Sequence, residues 1–293
     1  MAVAVALVAA CAPTAACAYT APPTPNIDWT TLLPPLPSPA NVQPHDIPGC
    51  ATPSIGCIDQ EIAQMKALKA RLGCDHRAVF DTTYLVLTQT LRDTMAADPR
   101  FFDDPDWLYY EDAEFGHLYF STMAAYDAGQ KVAPAWQIAF DTAKRGSVSA
   151  FQDMLLGINA HVQNDMPYML AAVGLRKPDG TTHKPDHDRF NEVLRRAFTP
   201  VIAAVSGFDS LMGVMAPSWT PIDDLAGLQL VMAWREVVWR EAEQLTGAKT
   251  PRQRQLVEDA IAENAALSAR LIAATPFPGY RPVRDAYCRA HAL

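Results

Sequence analysis

The sequence predicts an all-α protein, a single-domain bundle of about eight helices around a buried central helix at residues 151–173. Apolar residues recur at helical spacing in one segment after another from residue 58 onwards. No pair of strand-like runs joined by a turn signal interrupts them. The chain has 293 residues, of which 49% are hydrophobic, so it is long enough to bury a large core. Together these observations favour one helical domain at residues 57–293.

The first 18 residues are typical of an export signal. Residues 2–10 form a short apolar run, and Ala16 and Ala18 fit the small-x-small pattern of a cleavage site. No Lys or Arg precedes Lys66, so the usual positive start of such a signal is missing. Residues 8–11 also resemble a lipobox, which would attach a lipoprotein through Cys11. Both interpretations predict a secreted or cell-envelope protein.

Residues 19–56 contain ten prolines and little periodicity, which predicts an extended segment outside the helical core. After removal of the signal, four cysteines remain, and in an exported chain they suggest two disulfides with three possible pairings. We favour Cys50 with Cys57, which closes a small loop, and Cys74 with Cys288, which ties the C-terminal tail to an early helix. A zinc knuckle is the alternative, but the spacing and an oxidising compartment argue against it.

The predicted helices follow in chain order. The first has an apolar stripe from Ile58 to Leu72, and Gly73 is a natural stop after it. Prolines open several others, because proline is favoured in the first turn of a helix. Ser147 is a candidate N-cap for the central helix, and the turn-rich residues 174–185 separate that helix from the next. The predicted spans are 58–72, 77–97, 105–128, 134–143, 151–173, 186–206, 222–246 and 251–273.

The charge balance limits the classes of partner. The formal net charge is −8, and no run of five or more basic residues occurs. A nucleic-acid partner is therefore not expected. We expect a small-molecule or lipid-like substrate, with peripheral membrane or cell-envelope association as a further option. The sequence does not determine the oligomeric state.

The central helix carries polar residues in an otherwise apolar run: Asn159, His161, Gln163, Asn164 and Asp165. Burying such groups without partners costs roughly 2–7 kcal/mol each. His161 and Asp165 are four residues apart and therefore share one helical face, a spacing that suits a metal ion or a reacting group. A core histidine satisfied by its neighbouring carboxylate is the alternative. Pro167 is expected to kink the helix beside this cluster.

Two other groups could converge on that helix. Glu114 and His117 form a Glu-x-x-His pair, the spacing that di-metal carboxylate proteins use, although those proteins have two such pairs. Asp112 precedes them, and a solvated acidic face would also explain this segment. His187 and Asp188 begin the next helix, where capping and the helix dipole offer a simpler explanation. Arg235, in an aromatic stripe on a later helix, is a weaker candidate.

Two resemblances bear on these residues. From LLGINAHVQNDMPYML through DHDRFNEVL, the chain resembles a bacterial family of unknown function over roughly residues 58–275. The matching positions are Gly157 to His161, Asp165, Asp188, Asn191, Asp112 and Phe115. This resemblance implies the fold and a site but no activity. The His161 to Asp165 pair is also similar to the zinc-dependent phospholipase C and single-strand nuclease group, although the second His-x-x-x-Glu/Asp pair of that group is absent.

The leading functional hypothesis is an exported metal-dependent hydrolase acting on an ester or phosphoester. A divalent ion, zinc above all, would activate a water molecule. The expected metal ligands are His161, Asp165, His187, Asp188 and His117, with Asp112, Glu114 and Asn159 as catalytic residues. One alternative is an oxidative enzyme with two iron or manganese ions. The other is a non-enzymatic secreted module that binds a lipid or a small apolar ligand.

Overall fold

The computed structural model describes residues 27–36, 39–211 and 221–292, with side chains from residue 227 onwards in the last range. The predicted signal peptide, including its cleavage site and Cys11, lies outside the described residues. In chain order the helices are α1 (Ile55–Leu72), α2 (Ala78–Ala97), α3 (Pro105–Asp127), α4 (Pro134–Arg145), α5 (Ala150–Asn159), a π-helical segment (Ala160–Asp165), α6 (Met166–Val173), α7 (Lys184–Val205), α8 (Pro221–Gly247), α9 (Pro251–Ile272) and α10 (Arg281–His291).

The predicted all-α fold is confirmed. Every predicted helix is present with ends close to those expected, and the described ranges contain no β-strand, only one isolated bridge between Arg176 and Thr182. Prolines occupy the first turns of α3, α4 and α9, where their missing amide leaves no hydrogen bond unmade. Helix α10 was not predicted, because it has too few apolar residues for a clear periodic pattern.

The central helix is formed by α5, the π-helical segment and α6, which continue one another from Ala150 to Val173. It begins with a capping box in which Ser149 and Gln152 exchange side-chain and main-chain hydrogen bonds. The predicted disturbance beside Pro167 takes the form of a π-helical stretch immediately before that proline. Helices α3, α4, α8 and α9 lie against the π-helical segment, so its side chains face the middle of the bundle.

The described part of the proline-rich segment, residues 27–36 and 39–56, runs over the outside of the bundle and is anchored at several points. The main-chain amide of Leu36 donates a hydrogen bond to Glu243 on α8, and the Trp29 indole donates one to Gln229 on the same helix. Ile47 is buried further along. This extended course follows from the prolines, which fix φ and remove the amide donors that a helix needs.

Both favoured disulfides are confirmed, Cys50–Cys57 and Cys74–Cys288, with Cα atoms 5.2 and 5.9 Å apart. The second bond joins α10 to the chain just before α2. Two disulfides fit an extracellular protein, because such bonds persist in oxidising compartments. None of the described helices combines the length and the apolar character needed to cross a membrane.

Candidate functional site

The π-helical segment brings His161 and Asp165 together. The Nδ1 atom of His161 lies 3.0 Å from Oδ2 of Asp165. The same carboxylate accepts hydrogen bonds from the Trp136 indole and from the Asn164 amide, each at 2.8 Å. A carboxylate only accepts, so Nδ1 of His161 carries the proton that bonds to it. The other ring nitrogen, Nε2, is then left with a lone pair.

His161 is enclosed by aromatic rings. Its imidazole stacks on Phe115, with ring centroids 3.5 Å apart and planes within 5°, and the Tyr84 ring meets its edge at 4.8 Å. The side chain is 2% exposed, and burial lowers its pKa, so the ring is neutral at pH 7. Among the described residues Nε2 has no hydrogen-bond partner. An acceptor left unpaired in an apolar surrounding is costly, and a ligand donor would relieve that cost.

An apolar cavity of about 110 Å³ adjoins His161. Its walls come from α2, α3, α5, the π-helical segment, α7 and α8, and its described lining is apolar apart from Thr83, Tyr84 and His161. Phe80, Met154, Phe198 and Val231 are among the apolar residues. The neutral imidazole is therefore one of few polar groups that a molecule in this cavity could contact.

A second polar cluster was not predicted. The carboxyl groups of Glu61 and Asp112 and the hydroxyl of Tyr84 are buried, and the Glu61 side chain interacts with both of the other two. Glu61 lies so close to α3 that a Cβ at Gly116 would approach its Cδ to 2.5 Å. The available signal was that Glu61 falls on the buried face of α1, beside Ile58 and Ile62.

Burial and a shared environment change the acidity of this pair. Burial, together with the neighbouring Asp112 carboxylate, raises the pKa of Glu61 well above its usual value. Burial raises the pKa of Asp112 to about 6. Two buried carboxyl groups that close together cannot both ionise cheaply, so the pair retains a proton into the neutral range.

This raised pKa predicts a pH-dependent effect of the Glu61→Gln substitution. A carboxyl group whose pKa is higher in the folded state stabilises the fold below its unfolded pKa, near 4.5. That contribution is lost as the pH rises. Because the amide cannot ionise, we expect the variant to gain stability relative to the wild type above pH 4.5, by at most about 1.4 kcal/mol per pH unit.

Urea unfolding of both proteins between pH 4.5 and 8 measures this difference, and comparing the two proteins cancels the shared groups that do not interact with Glu61. The exposed Glu263→Gln variant is the control and should show a constant difference. If the free energy of unfolding of Glu61→Gln also differs from that of the wild type by the same amount at every pH, the prediction is wrong.

The Glu114–His117 pair does not join His161. His117 is exposed and Glu114 is partly buried. Burial raises the pKa of Glu114, and the neighbouring His117 offsets part of that rise. His117 lines a polar cleft of about 130 Å³ between α1 and α3, together with Glu61. Asp112 lies one turn earlier on the buried side of α3, so the residues of this motif point to different environments.

The remaining predicted site residues already have partners. His187 is buried, with Nε2 3.1 Å from the carbonyl oxygen of Arg235 and Nδ1 3.2 Å from the guanidinium of the same arginine. Lys184 binds both oxygens of Asp188, at 2.8 and 2.9 Å. Asn159 donates to the carbonyl of Ala265 and therefore ties the central helix to α9. These contacts give all three side chains a structural role.

The expected metal ligands are thus distributed over separate environments. Within the described ranges, no group of three or more His, Cys, Asp or Glu side chains is arranged to hold a metal ion. His161 and Asp165 remain as one pair, and Nε2 of His161 is the atom of that pair available to a ligand.

A family of unknown function, DUF5995, matches residues 58–275. The match covers the bundle from α1 to the end of α9, including the π-helical segment, and it agrees with the resemblance carried by the Gly157 to His161 motif. The chain matches no curated protein and no solved structure. The similarity to the zinc-dependent phospholipase C and single-strand nuclease group therefore gains no support. Because the match spans most of the sequence, the chain belongs to the DUF5995 family of unknown function.

Proposed function

We propose that the protein binds a small, predominantly apolar molecule in the cavity beside His161. The observation that carries this proposal is an unpartnered acceptor, Nε2 of His161, in a lining that is otherwise almost entirely apolar. Binding sites for small molecules commonly combine an apolar wall with a few fixed polar groups. Asp165 fixes the orientation and tautomer of the imidazole, so the acceptor is positioned before a ligand arrives.

The size of the cavity indicates the size of the ligand. Apolar cavities of roughly 150 Å³ bind molecules such as benzene. The volume here, about 110 Å³, suits a single ring or a short chain. Such a molecule would gain contact with Phe80, Met154 and Val231 without displacing a charged group. A donor on the ligand, such as a hydroxyl, would pair with His161.

Toluene is a probe of matching size, and we expect it to stabilise the wild-type protein saturably. At five times its Kd, a ligand specific for the folded state contributes about 1 kcal/mol, or a rise in Tm of roughly 2–4 °C. Ala197 lines the cavity on α7, and the Ala197→Leu variant should abolish the rise because its side chain fills the space. Differential scanning calorimetry at increasing toluene concentrations measures both effects.

Ala203→Leu is the matched control, since Ala203 is an exposed residue of the same helix. It should keep the toluene response of the wild type. If toluene shifts no Tm in the wild type, or shifts it equally in Ala197→Leu, the cavity is not the binding site.

Hydrolysis of a small ester is a second candidate function. It is favoured by the arrangement of a carboxylate, an imidazole and a free Nε2, which is that of a general base. Nε2 would take a proton from a water molecule as the water oxygen attacks the ester carbonyl, and the imidazolium would return that proton to the alcohol oxygen as its bond to the carbonyl carbon breaks. Turnover of phenyl acetate that is lost in His161→Gln would favour this function over binding alone.

A metal-dependent form of this reaction is a further version of the same proposal. An imidazole and a carboxylate suit zinc, and iron or manganese less well. Zinc at His161 would need ligands beyond those that the described residues gather there. Metal analysis of purified protein distinguishes the two forms.

We also propose that the protein acts outside the cytoplasm, on the basis of its two disulfides and its predicted export signal.

A further inference from the structure

A second, smaller cavity lies directly beside the one that contains His161. It measures about 50 Å³, and Tyr84, Leu87, Phe115, Val162, Leu194 and Val231 line both cavities. The smaller cavity differs in chemistry, because Arg235, Glu111 and Asp112 also line it. Its accessible surface is nearly all apolar, so a molecule that extends from one cavity into the other would meet these three side chains at only a small part of the wall.

Arg235 is a buried cation whose contacts are all uncharged. It is 3% exposed, and its guanidinium donates to the Asn191 amide oxygen and to the main-chain carbonyl of His187. Its Nη1 atom has the thioether sulfur of Met166 at 3.7 Å as its contact, and sulfur is a weak acceptor. The guanidinium also lies over the ring of Phe190, 4.8 Å from the centroid. No carboxylate of the described residues lies within 4 Å of it.

Other buried arginines of this protein do have carboxylate partners. Arg240 bonds to Glu236 and Glu243 at 2.9 and 3.0 Å, and Arg284 bonds to Asp153 at 2.5 Å. Buried charges are normally paired in this way, since an isolated charge is expensive to remove from water. Arg235 departs from this pattern at the position where it lines a cavity.

The nearest acidic neighbour does not fill this role. Burial raises the pKa of Glu111 to about 7 despite the opposing effect of the Arg235 charge. This carboxyl is therefore only partly ionised at neutral pH. Burial also lowers the pKa of Arg235. Asp188 is held by Lys184. Nη1, whose contact is the weakly accepting sulfur of Met166, is therefore the guanidinium nitrogen that remains able to donate to an anion.

We infer that the ligand carries a carboxylate, which pairs with Arg235 in the smaller cavity while its apolar part occupies the cavity beside His161. This inference rests on the proposed binding function and specifies its ligand class as small apolar carboxylic acids. Because Nε and Nη2 already donate to Asn191 and His187, the carboxylate would accept from Nη1, and such a charge-assisted hydrogen bond in a buried site is stronger than a neutral one.

The test compares three acids, benzoate, phenylacetate and 3-phenylpropanoate, with the alcohol of the same length for each. Isothermal titration calorimetry at pH 7 in chloride-free buffer, where no small anion competes, gives each Kd. We expect at least one acid to bind wild-type protein about tenfold tighter than its alcohol or more. In Arg235→Met the preference should disappear, while the alcohol keeps its affinity within about twofold.

Two controls keep the outcomes separate. Arg254→Met, on the exposed part of α9, should retain the preference of the wild type. Arg235→Lys keeps the charge if Arg235→Met fails to fold, and it should reduce the preference because the lysine ammonium does not reach the position of Nη1 while also replacing the bonds to Asn191 and His187. If the alcohols bind and no acid binds tighter, the carboxylate inference is wrong and the binding function stands. If neither the acids, the alcohols nor toluene bind, the proposed function itself fails.

Discussion

Replacing Cys74 and Cys288 together by alanine is expected to lower the free energy of unfolding by about 5 kcal/mol. The bond joins residues 214 positions apart, so its loss frees a very long loop in the unfolded chain. A loss of this size is comparable to the whole stability of many domains and corresponds to a fall in Tm of roughly 10–20 °C.

The structure explains why this bond matters to the folded state as well. Helix α10 buries Arg284 and Cys288, while much of its remaining surface is exposed. Arg284 donates to Asp153 on α5 and to the carbonyl of Val148, which holds the tail against the start of the central helix. Without the disulfide, α10 would keep these contacts and the pairing of Asp285 with His76 but would lose its covalent tie to the bundle.

The matched comparison is the Cys50→Ala/Cys57→Ala variant, which opens a loop with a separation of seven residues. The same loop-closure relation gives a loss of only about 2–3 kcal/mol for it. Guanidinium unfolding of wild type and both variants, after non-reducing peptide mapping of the wild type made in the periplasm, measures the two losses. Equal losses, or four free thiols in that wild-type protein, would contradict the expectation.

Replacing Gly157 by alanine is expected to destabilise the protein by about 3 kcal/mol, although alanine is normally the better helix former. Gly157 faces α2 within α5, and a Cβ there would lie 2.2 Å from Cγ of Phe80. Carbon atoms in contact normally stay 3.5–4.0 Å apart, so either the ring or the helix must move. Overpacking of a tight core typically costs about 1–3 kcal/mol.

Phe80 has little freedom to yield. Its ring contacts Tyr119, Trp136 and His161 at centroid distances of 5.1, 5.5 and 5.6 Å. Any shift of Phe80 would also change the cavity that it lines. The Gly157→Ala variant should therefore lose toluene binding along with stability.

Gly227→Ala provides the control for this substitution. Gly227 is also helical, in α8, but a Cβ there would meet no atom of the described residues within 4 Å. Its replacement should leave stability unchanged or raise it by up to about 1 kcal/mol. Thermal unfolding of the two variants side by side is the measurement. A Gly157→Ala protein as stable as Gly227→Ala would show that α2 and α5 do not pack this closely.

Much of the fold could be predicted from the sequence because it follows from local patterns. Apolar residues at helical spacing indicated the helices from α1 to α9, and first-turn prolines marked several of their starts. The polar residues in an apolar run indicated that the central helix was unusual. His161 and Asp165 were found for the same reason, since residues four apart share a helical face and need no tertiary information to be paired.

The partners of these side chains depended on contacts between distant segments. His187 bonds to Arg235, 48 positions away, and Glu61 lies beside Asp112 on another helix, so neither arrangement has a local signal. Helix α10 forms because Cys288 and Arg284 find partners more than 130 positions earlier in the chain.

The sequence by itself determined which segments from α1 to α9 are helical, which helix is buried and which residues in it are polar. Only the tertiary structure decided that the cluster is a hydrogen-bonded pair facing an apolar cavity, and that Arg235 has no carboxylate partner among the described residues. The physical reason is that helix formation responds to neighbours within a turn or two. Pairing, burial and cavity shape are set by how whole helices pack, which no local pattern encodes.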